Sequence, residues 1–283
     1  MIDQIIGALP DISNHHARGT KIYKVFEKFA GQTIRDSHLT SVDEGGIQLG
    51  EFGELVFPYH NMGAIDTLDL FGLDELIIFG FYWINRHHYK KSADIGANLG
   101  LHSILMSRCG WQVSAYEPDP IHASLLRRNL ELNQISSVQV FEDAISDKKG
   151  TLEFVRVLGN TTGSHLAGAK LNPYGQLERF PVNVLPIDNV MANADFIKLD
   201  AEGQEKIILL ATNAKQWETT DMILEVGSTE NALAIFNHLT ELGVNLFSQK
   251  LNWERVTSLE GMPISYKEGS LFVSTKSKMP WSE

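Results

Sequence analysis

The chain has 283 residues, 43% hydrophobic and 21% charged, a composition that excludes intrinsic disorder, collagen-like repeats and a disulfide scaffold. Its formal net charge of −11, with no basic stripe interleaved with aromatics, argues against a nucleic-acid substrate, because it would repel a phosphate backbone. The lone Cys109 has no partner and no CxxC knuckle is present; with no basic-then-apolar leader and no apolar run near the roughly eighteen residues needed to span a bilayer, the expectation is a cytoplasmic protein with no membrane span.

The first part of the chain has a mixed pattern. A helix is expected near Lys21 to Phe29, short strands around Gly46 to Leu49 and Glu54 to Phe57, and an apolar helix from Leu73 to Arg86, whose Phe79, Phe81, Tyr82 and Trp83 are expected to pack onto a sheet. Residues 1–72 are read as an N-terminal α+β extension and 73–283 as the main domain. From Lys91 a different rhythm begins. Ala93 to Ile95, Gln112 to Tyr116 and Val138 to Phe141 read as strands, with helices at Leu99 to Cys109 and Ile121 to Leu132, the second marked by Asp119 as N-cap and Pro120 in its first turn. Strand alternating with helix predicts a parallel sheet. After an interruption at residues 145–192 the rhythm resumes: strand at Asp195 to Leu199, helix at Gln204 to Thr212, strand at Met222 to Val226, helix at Ala232 to Leu242. Val244 to Phe247 and Leu271 to Ser274 close the chain as an antiparallel hairpin. The pairs His15-His16 and His87-His88 lack further ligands in spacing and are read as surface residues.

Between the first strand and helix of this rhythm lies Asp94-Ile95-Gly96-Ala97-Asn98-Leu99-Gly100, a strand end turning into a helix N-terminus. Glycine lets a ligand approach the backbone, and the positive helix end favours a carboxylate or phosphate. Glu117, at the end of the second strand, can accept hydrogen bonds from a ribose diol. A dinucleotide fingerprint GxGxxG would need glycine where Asn98 and Leu101 stand, which weakens an NAD(P)-dependent oxidoreductase as the alternative. Asp94 would face a pyrophosphate unfavourably but could meet the ammonium of a methionine moiety. Asp143, after the third strand, could accept an adenine amino group, or be a solvated turn acid. Asp94, Gly96, Asn98, Gly100, Glu117 and Asp143 thus form the candidate cofactor set.

This segment, together with Asp200-Ala201-Glu202-Gly203-Gln204-Glu205 further along, resembles the FkbM-type methyltransferases, whose hallmark is a DxGANxG segment followed by a DxEGxE segment. The resemblance covers roughly residues 73 to 230. It implies a Rossmann-like class I fold: α/β, with a seven-stranded, mostly parallel sheet, helices on both faces and an antiparallel C-terminal strand. It also implies S-adenosylmethionine as methyl donor and O-methylation of a small-molecule hydroxyl, on a sugar or natural product. A catalytically inactive module that kept the cofactor fold is the other alternative; the joint presence of Asp94, Glu117, Asp200 and Glu202 weighs against it.

Methyl transfer to a hydroxyl needs in-line alignment and a group to take the proton. Asp200 and Glu202 are the candidate catalytic carboxylates, with Glu225 supporting the substrate; Glu202 and Glu205 could instead serve the dipole of the next helix. A divalent metal on these oxygens is possible, but the three acids have no defined ligand spacing. The polar stretch Gly159 to His165 could hold the acceptor or act as a lid, giving Ser164 as a substrate contact and His165 as a candidate base or a surface residue. His102, in the first turn after the glycine loop, could line the pocket or cap its helix.

Overall fold

The computed structural model describes residues 2–37, 46–169 and 175–281. In chain order the helices and strands are α1 (Ile2–Ala8), α2 (Lys21–Asp36), β1 (Ile47–Gln48), β2 (Glu54–Leu55), α3 (Leu73–Ile84), β3 (Lys91–Ile95), α4 (Leu101–Arg108), β4 (Gln112–Tyr116), α5 (Pro120–Leu132), β5 (Val138–Phe141), β6 (Asp143–Ser146), β7 (Gly150–Leu158), β8 (His165–Leu166), β9 (Gln176–Pro186), α6 (Ile187–Met191), β10 (Phe196–Leu199), α7 (Glu205–Leu210), β11 (Asp221–Leu224), α8 (Thr229–Glu241), β12 (Asn245–Ser248), β13 (Glu254–Arg255) and β14 (Leu271–Ser274).

The central sheet has the order β13-β12-β14-β11-β10-β3-β4-β5. It holds eight strands rather than seven, because the two-residue β13 adds an antiparallel edge to β12. Strands β5, β4, β3, β10 and β11 run parallel, and β14 inserts antiparallel between β11 and β12, so the closing pair is antiparallel but flanked by the rest of the sheet. Period-two alternation sorts the side chains to two faces. Phe196, Ile223, Phe247 and Phe272 join one buried cluster with α1 to α5, while Ile197, Leu199, Met222, Leu224, Leu271 and Val273 join another with α6 to α8. The N-terminal elements share the first of these clusters with the sheet: Phe81 lies 5.4 Å from Phe272 and 5.7 Å from Phe196, centroid to centroid.

Three features differ from the sequence expectation. Residues 145–192 are not a loop interruption: they carry most of a four-stranded sheet of order β6-β9-β7-β8, in which β7 and β9 form a long antiparallel ribbon. Residues 2–8 form a short helix whose Ile2, Ile5 and Ile6 are buried. His16 is buried rather than superficial, because the Trp253 indole N–H donates to its Nδ1 at 2.8 Å while its Nε2 meets the Leu9 carbonyl at 3.0 Å; burial holds its pKa down at about 4. His87 and His88 are exposed. Among the described residues no helix is long and apolar enough to cross a membrane.

Candidate active site

The carboxyl ends of β3, β4, β10 and β11 open onto a cavity of about 390 Å³, within the range of small-molecule sites. Its floor begins at the glycine turn. Gly96 and Ala97 both donate to the Tyr116 carbonyl, at 2.9 and 3.1 Å, tying the turn to the end of β4. Gly96 has φ +77°, and a Cβ there would stand 1.8 Å from the Asp200 carbonyl oxygen, so only glycine fits where the two loops touch. Asn98 takes the left-handed conformation at φ +51°, and its backbone N–H donates to Glu117 at 2.7 Å. Gly100, at φ +84°, gives way to Leu126 of α5.

Glu117 is 6% exposed and also accepts from the Asp119 N–H at 2.9 Å. Burial outweighs these two donors and raises its pKa to about 8, so the carboxyl is largely protonated at neutral pH. Asp94 is fully buried behind the turn. Ser103 donates to one of its oxygens at 2.6 Å, while among the described residues the other has no partner, nor has the buried side-chain oxygen of Asn98. Of the six cofactor candidates, Gly96, Asn98, Glu117 and Asp143 line the cavity, whereas Asp94 and Gly100 shape the turn from behind it.

The other half of the cavity is built by β10, β11 and α3. Asp200, 40% exposed at its side chain, receives Lys198 at 3.0 Å. Burial works against the Lys198 ammonium, but Asp200, Asp94 and Glu75 outweigh it and hold its pKa above the ordinary value. Glu202 lines the cavity at φ +48°, followed by Gly203 at φ +102°. Glu205 holds this turn, accepting from the N–H groups of Ala201 and Gly203 at 3.0 to 3.1 Å; it has a defined structural task beyond the helix dipole. Glu225 also faces the cavity, its pKa pushed well above the ordinary range by burial and then by Asp200 and Glu75.

Glu75 was not singled out by the sequence. It comes from the first turn of α3, lines the cavity, and lies 3.0 Å from His102 Nε2, whose Nδ1 is 2.9 Å from the Tyr82 hydroxyl. Burial raises its pKa, yet His102, Lys198 and Arg18 overcome that and bring it below the ordinary value. His102 therefore braces a carboxylate and is absent from the cavity wall. The signal available in the sequence was an acid inside the most apolar helix, as Lys198 is the one charge in the apolar run Phe196–Leu199. Tyr266 and His122 were missed as well; both line the cavity.

Ser164 and His165 reach the same cavity from the second sheet. Ser164 Oγ accepts from the Val157 N–H at 3.2 Å, and His165, fully buried rather than on the surface, donates from Nδ1 to the Gly163 carbonyl at 2.8 Å. That sheet is anchored to the α5 N-terminus by Arg156, which donates to both oxygens of the N-cap Asp119 at 2.6 and 2.7 Å. Among the described residues no group of three or more His, Cys, Asp or Glu side chains is placed to hold a metal ion.

Residues 94–246 match the profile of the methyltransferase FkbM domain, more than half of the chain and spanning both carboxylate motifs. The chain belongs to the FkbM methyltransferase family. The methyltransferase sdnD of Sordaria araneosa is 29% identical over 159 residues, a match that covers 44% of this chain and 61% of that relative's length. An O-methyltransferase of Bacillus cereus solved with SAH has a TM-score of 0.37 at 12% identity, over 70% of this chain and 80% of that one. A SAM-dependent methyltransferase of Agrobacterium tumefaciens has a TM-score of 0.39 at 8% identity, over 72% and 63% of the two chains. The FkbM methyltransferase domain thus contains the glycine turn, Glu117, Asp143, Asp200, Glu202 and Glu225, while Asp69 and Glu75 reach the cavity from outside it.

Proposed function

We propose that the protein uses S-adenosylmethionine to methylate a hydroxyl of a small, non-anionic acceptor. The observation that carries this reading is one continuous cavity. It joins a glycine turn with orphaned buried oxygens on Asp94 and Asn98 and a buried Glu117 to the carboxyl groups of Glu75 and Glu225, whose pKa values are pushed in opposite directions. The glycine-turn side fits the cofactor: Glu117 would accept from the ribose hydroxyls, Asp143 from the adenine amino group, and the turn with Asp94 behind it would take the methionine end. When bound, the cofactor supplies an electrophilic methyl group.

Elsewhere in the cavity the chain's own residues align the acceptor and receive its proton. Asp200 and Glu202 are the candidates to orient or deprotonate the hydroxyl. His165 is a third, since donation from Nδ1 leaves Nε2 as the basic nitrogen of the neutral ring. The pKa of Glu75 is brought below its ordinary value and that of Glu225 pushed well above it, so the two are placed to divide acceptor and donor roles, the separation expected where acid and base duties are split. Among the described residues, eight that line the cavity are carboxylic acids and none is lysine or arginine, which disfavours an acceptor carrying phosphate or carboxylate.

Two measurements test the reading. Calorimetry should show binding of S-adenosylhomocysteine and not of NAD; the reverse would defeat the cofactor assignment. A screen of neutral, amino-bearing and anionic hydroxyl compounds with labelled methyl donor should yield turnover only in the first two groups. With the acceptor so found, Asp200→Asn or Glu202→Gln should slow transfer about 10² to 10⁴-fold while homocysteine-product affinity persists, and full activity in both would end their assignment.

A further inference from the structure

The glycine-rich loop that precedes β8 does not cover the cavity alone. A stretch of the N-terminal extension between β2 and α3 is fastened across it. The Thr161 N–H donates to the Met62 carbonyl at 2.7 Å, and the Ala64 N–H donates to Asn160 Oδ1 at 3.2 Å. Between these two bonds sits Gly63, at φ +106°, where a Cβ would stand 1.8 Å from the Gly159 carbonyl oxygen, so the two backbones are in direct contact and only glycine permits it. The clasp is tied to the cofactor half of the cavity on its inner side. Asn98 Nδ2 lies 3.6 Å from Met62 Sδ, and His122 Nε2 lies 3.0 Å from Thr161 Oγ1. Ile65 and Thr161 both line the cavity beside Asn98 and Glu117.

We propose that this contact, Met62–Ala64 against Gly159–Thr161, is a gate through which the cofactor enters and its product leaves. The inference rests on the cofactor reading above. Geometry supports opening as well as closure. Gly63 and Ala64 are exposed and Met62 alone of the three is buried, so a single apolar side chain opposes parting of the segments. Three hydrogen bonds between the loops, the third a long one at 3.5 Å from the Thr161 hydroxyl to the Met62 carbonyl, are a light fastening, of the kind that opens on the microsecond-to-millisecond scale of active-site lids. The gate would also explain why residues outside the matched domain are needed over a cofactor site that the domain itself builds.

The test is a pair of cysteines, Ala64→Cys with Asn160→Cys, in the full chain, where the buried Cys109 offers no competing thiol. With S-adenosylhomocysteine as the probe, oxidation should slow its release at least about tenfold, and reductant should restore the original rate. In the opposite direction Gly63→Ala should speed release about tenfold by prising the backbones apart. Equal release from the oxidised and reduced forms, with the cross-link verified by mass spectrometry, would overturn the gate. Failure of the cross-link to form in folded protein would overturn it too, because the segments would not be adjacent. If the unmodified chain does not bind S-adenosylhomocysteine, the cofactor reading fails instead, and cross-linking still reports whether the segments meet.

Discussion

Glu117 gives the most quantitative test of the site's electrostatics. Its folded-state pKa, about 8, stands above the ordinary 4.5, so the folded chain holds this proton more tightly than the unfolded chain does. The associated stability is complete below pH 4.5 and is lost as the pH rises through about 8. At about 1.4 kcal/mol per pH unit, this interval corresponds to roughly 5 kcal/mol as a ceiling. Urea unfolding at a series of pH values between about 5 and 9 should therefore show stability falling with pH across this window. Glu117→Gln cannot titrate, and its profile should be flatter over the same range, even though the amide can accept from only one of the two N–H donors. A wild-type profile that is level or rising from pH 5 to 8, or one whose slope is unchanged in the glutamine variant, would refute the reasoning.

Hydroxyl donors of a bound ribose favour the ionised carboxylate, so binding of S-adenosylhomocysteine near neutral pH should release a proton, visible as a dependence of the calorimetric heat on buffer ionisation enthalpy; Glu117→Gln should abolish it. Gly96→Ala would drive a methyl group into the Asp200 carbonyl at positive φ, and should destabilise the chain by about 3 kcal/mol or more in denaturant titration, or prevent folding. Asp119→Asn removes the buried one of Arg156's two carboxylate partners and leaves the more exposed Glu178, and should cost about 1.5 to 3 kcal/mol by the same measurement. Glu75→Gln should leave S-adenosylhomocysteine affinity within about twofold while lowering turnover of the acceptor, since the residue reaches the cavity from α3 and not from the glycine turn or β4; a large loss of product binding would place it with the cofactor contacts.

The parallel half of the fold was legible because its signals are local. Apolar runs such as Phe196–Leu199 end at motifs, and Asp119-Pro120 marks a helix start whose side-chain cap the structure shows, donated by the Ile121 N–H at 2.8 Å. The second sheet was illegible for a physical reason. Strands β7 and β9 carry exposed charges such as Glu153, Glu178 and Arg179, so their composition reads as loop, and their pairing is made over a long separation. The motifs located the glycine turn and Asp200 but not their mutual contact at Gly96. Asp94 was read as a cofactor contact, and the structure sets it behind the turn with one oxygen unpartnered among the described residues. His16 and His165 were read partly from lone position in sequence, whereas burial depends on Trp253 and on the second sheet, both far along the chain.

The Asp119–Arg156 pair has a consequence for recombining this chain with its relatives. The second sheet, which brings Ser164 and His165 to the cavity, is bolted to the central one at a helix cap, with the charge donated by one module and received by the other. A chimera that exchanges residues 150–186 inherits one half of the bolt and leaves its mate in the host, stranding a buried charge at the rim of the reaction chamber. Exchanges made with the two positions matched as a set should yield folded enzymes with altered acceptor choice, so the boundary of the transferable unit is drawn by an ion pair and not by a gap in the sequence.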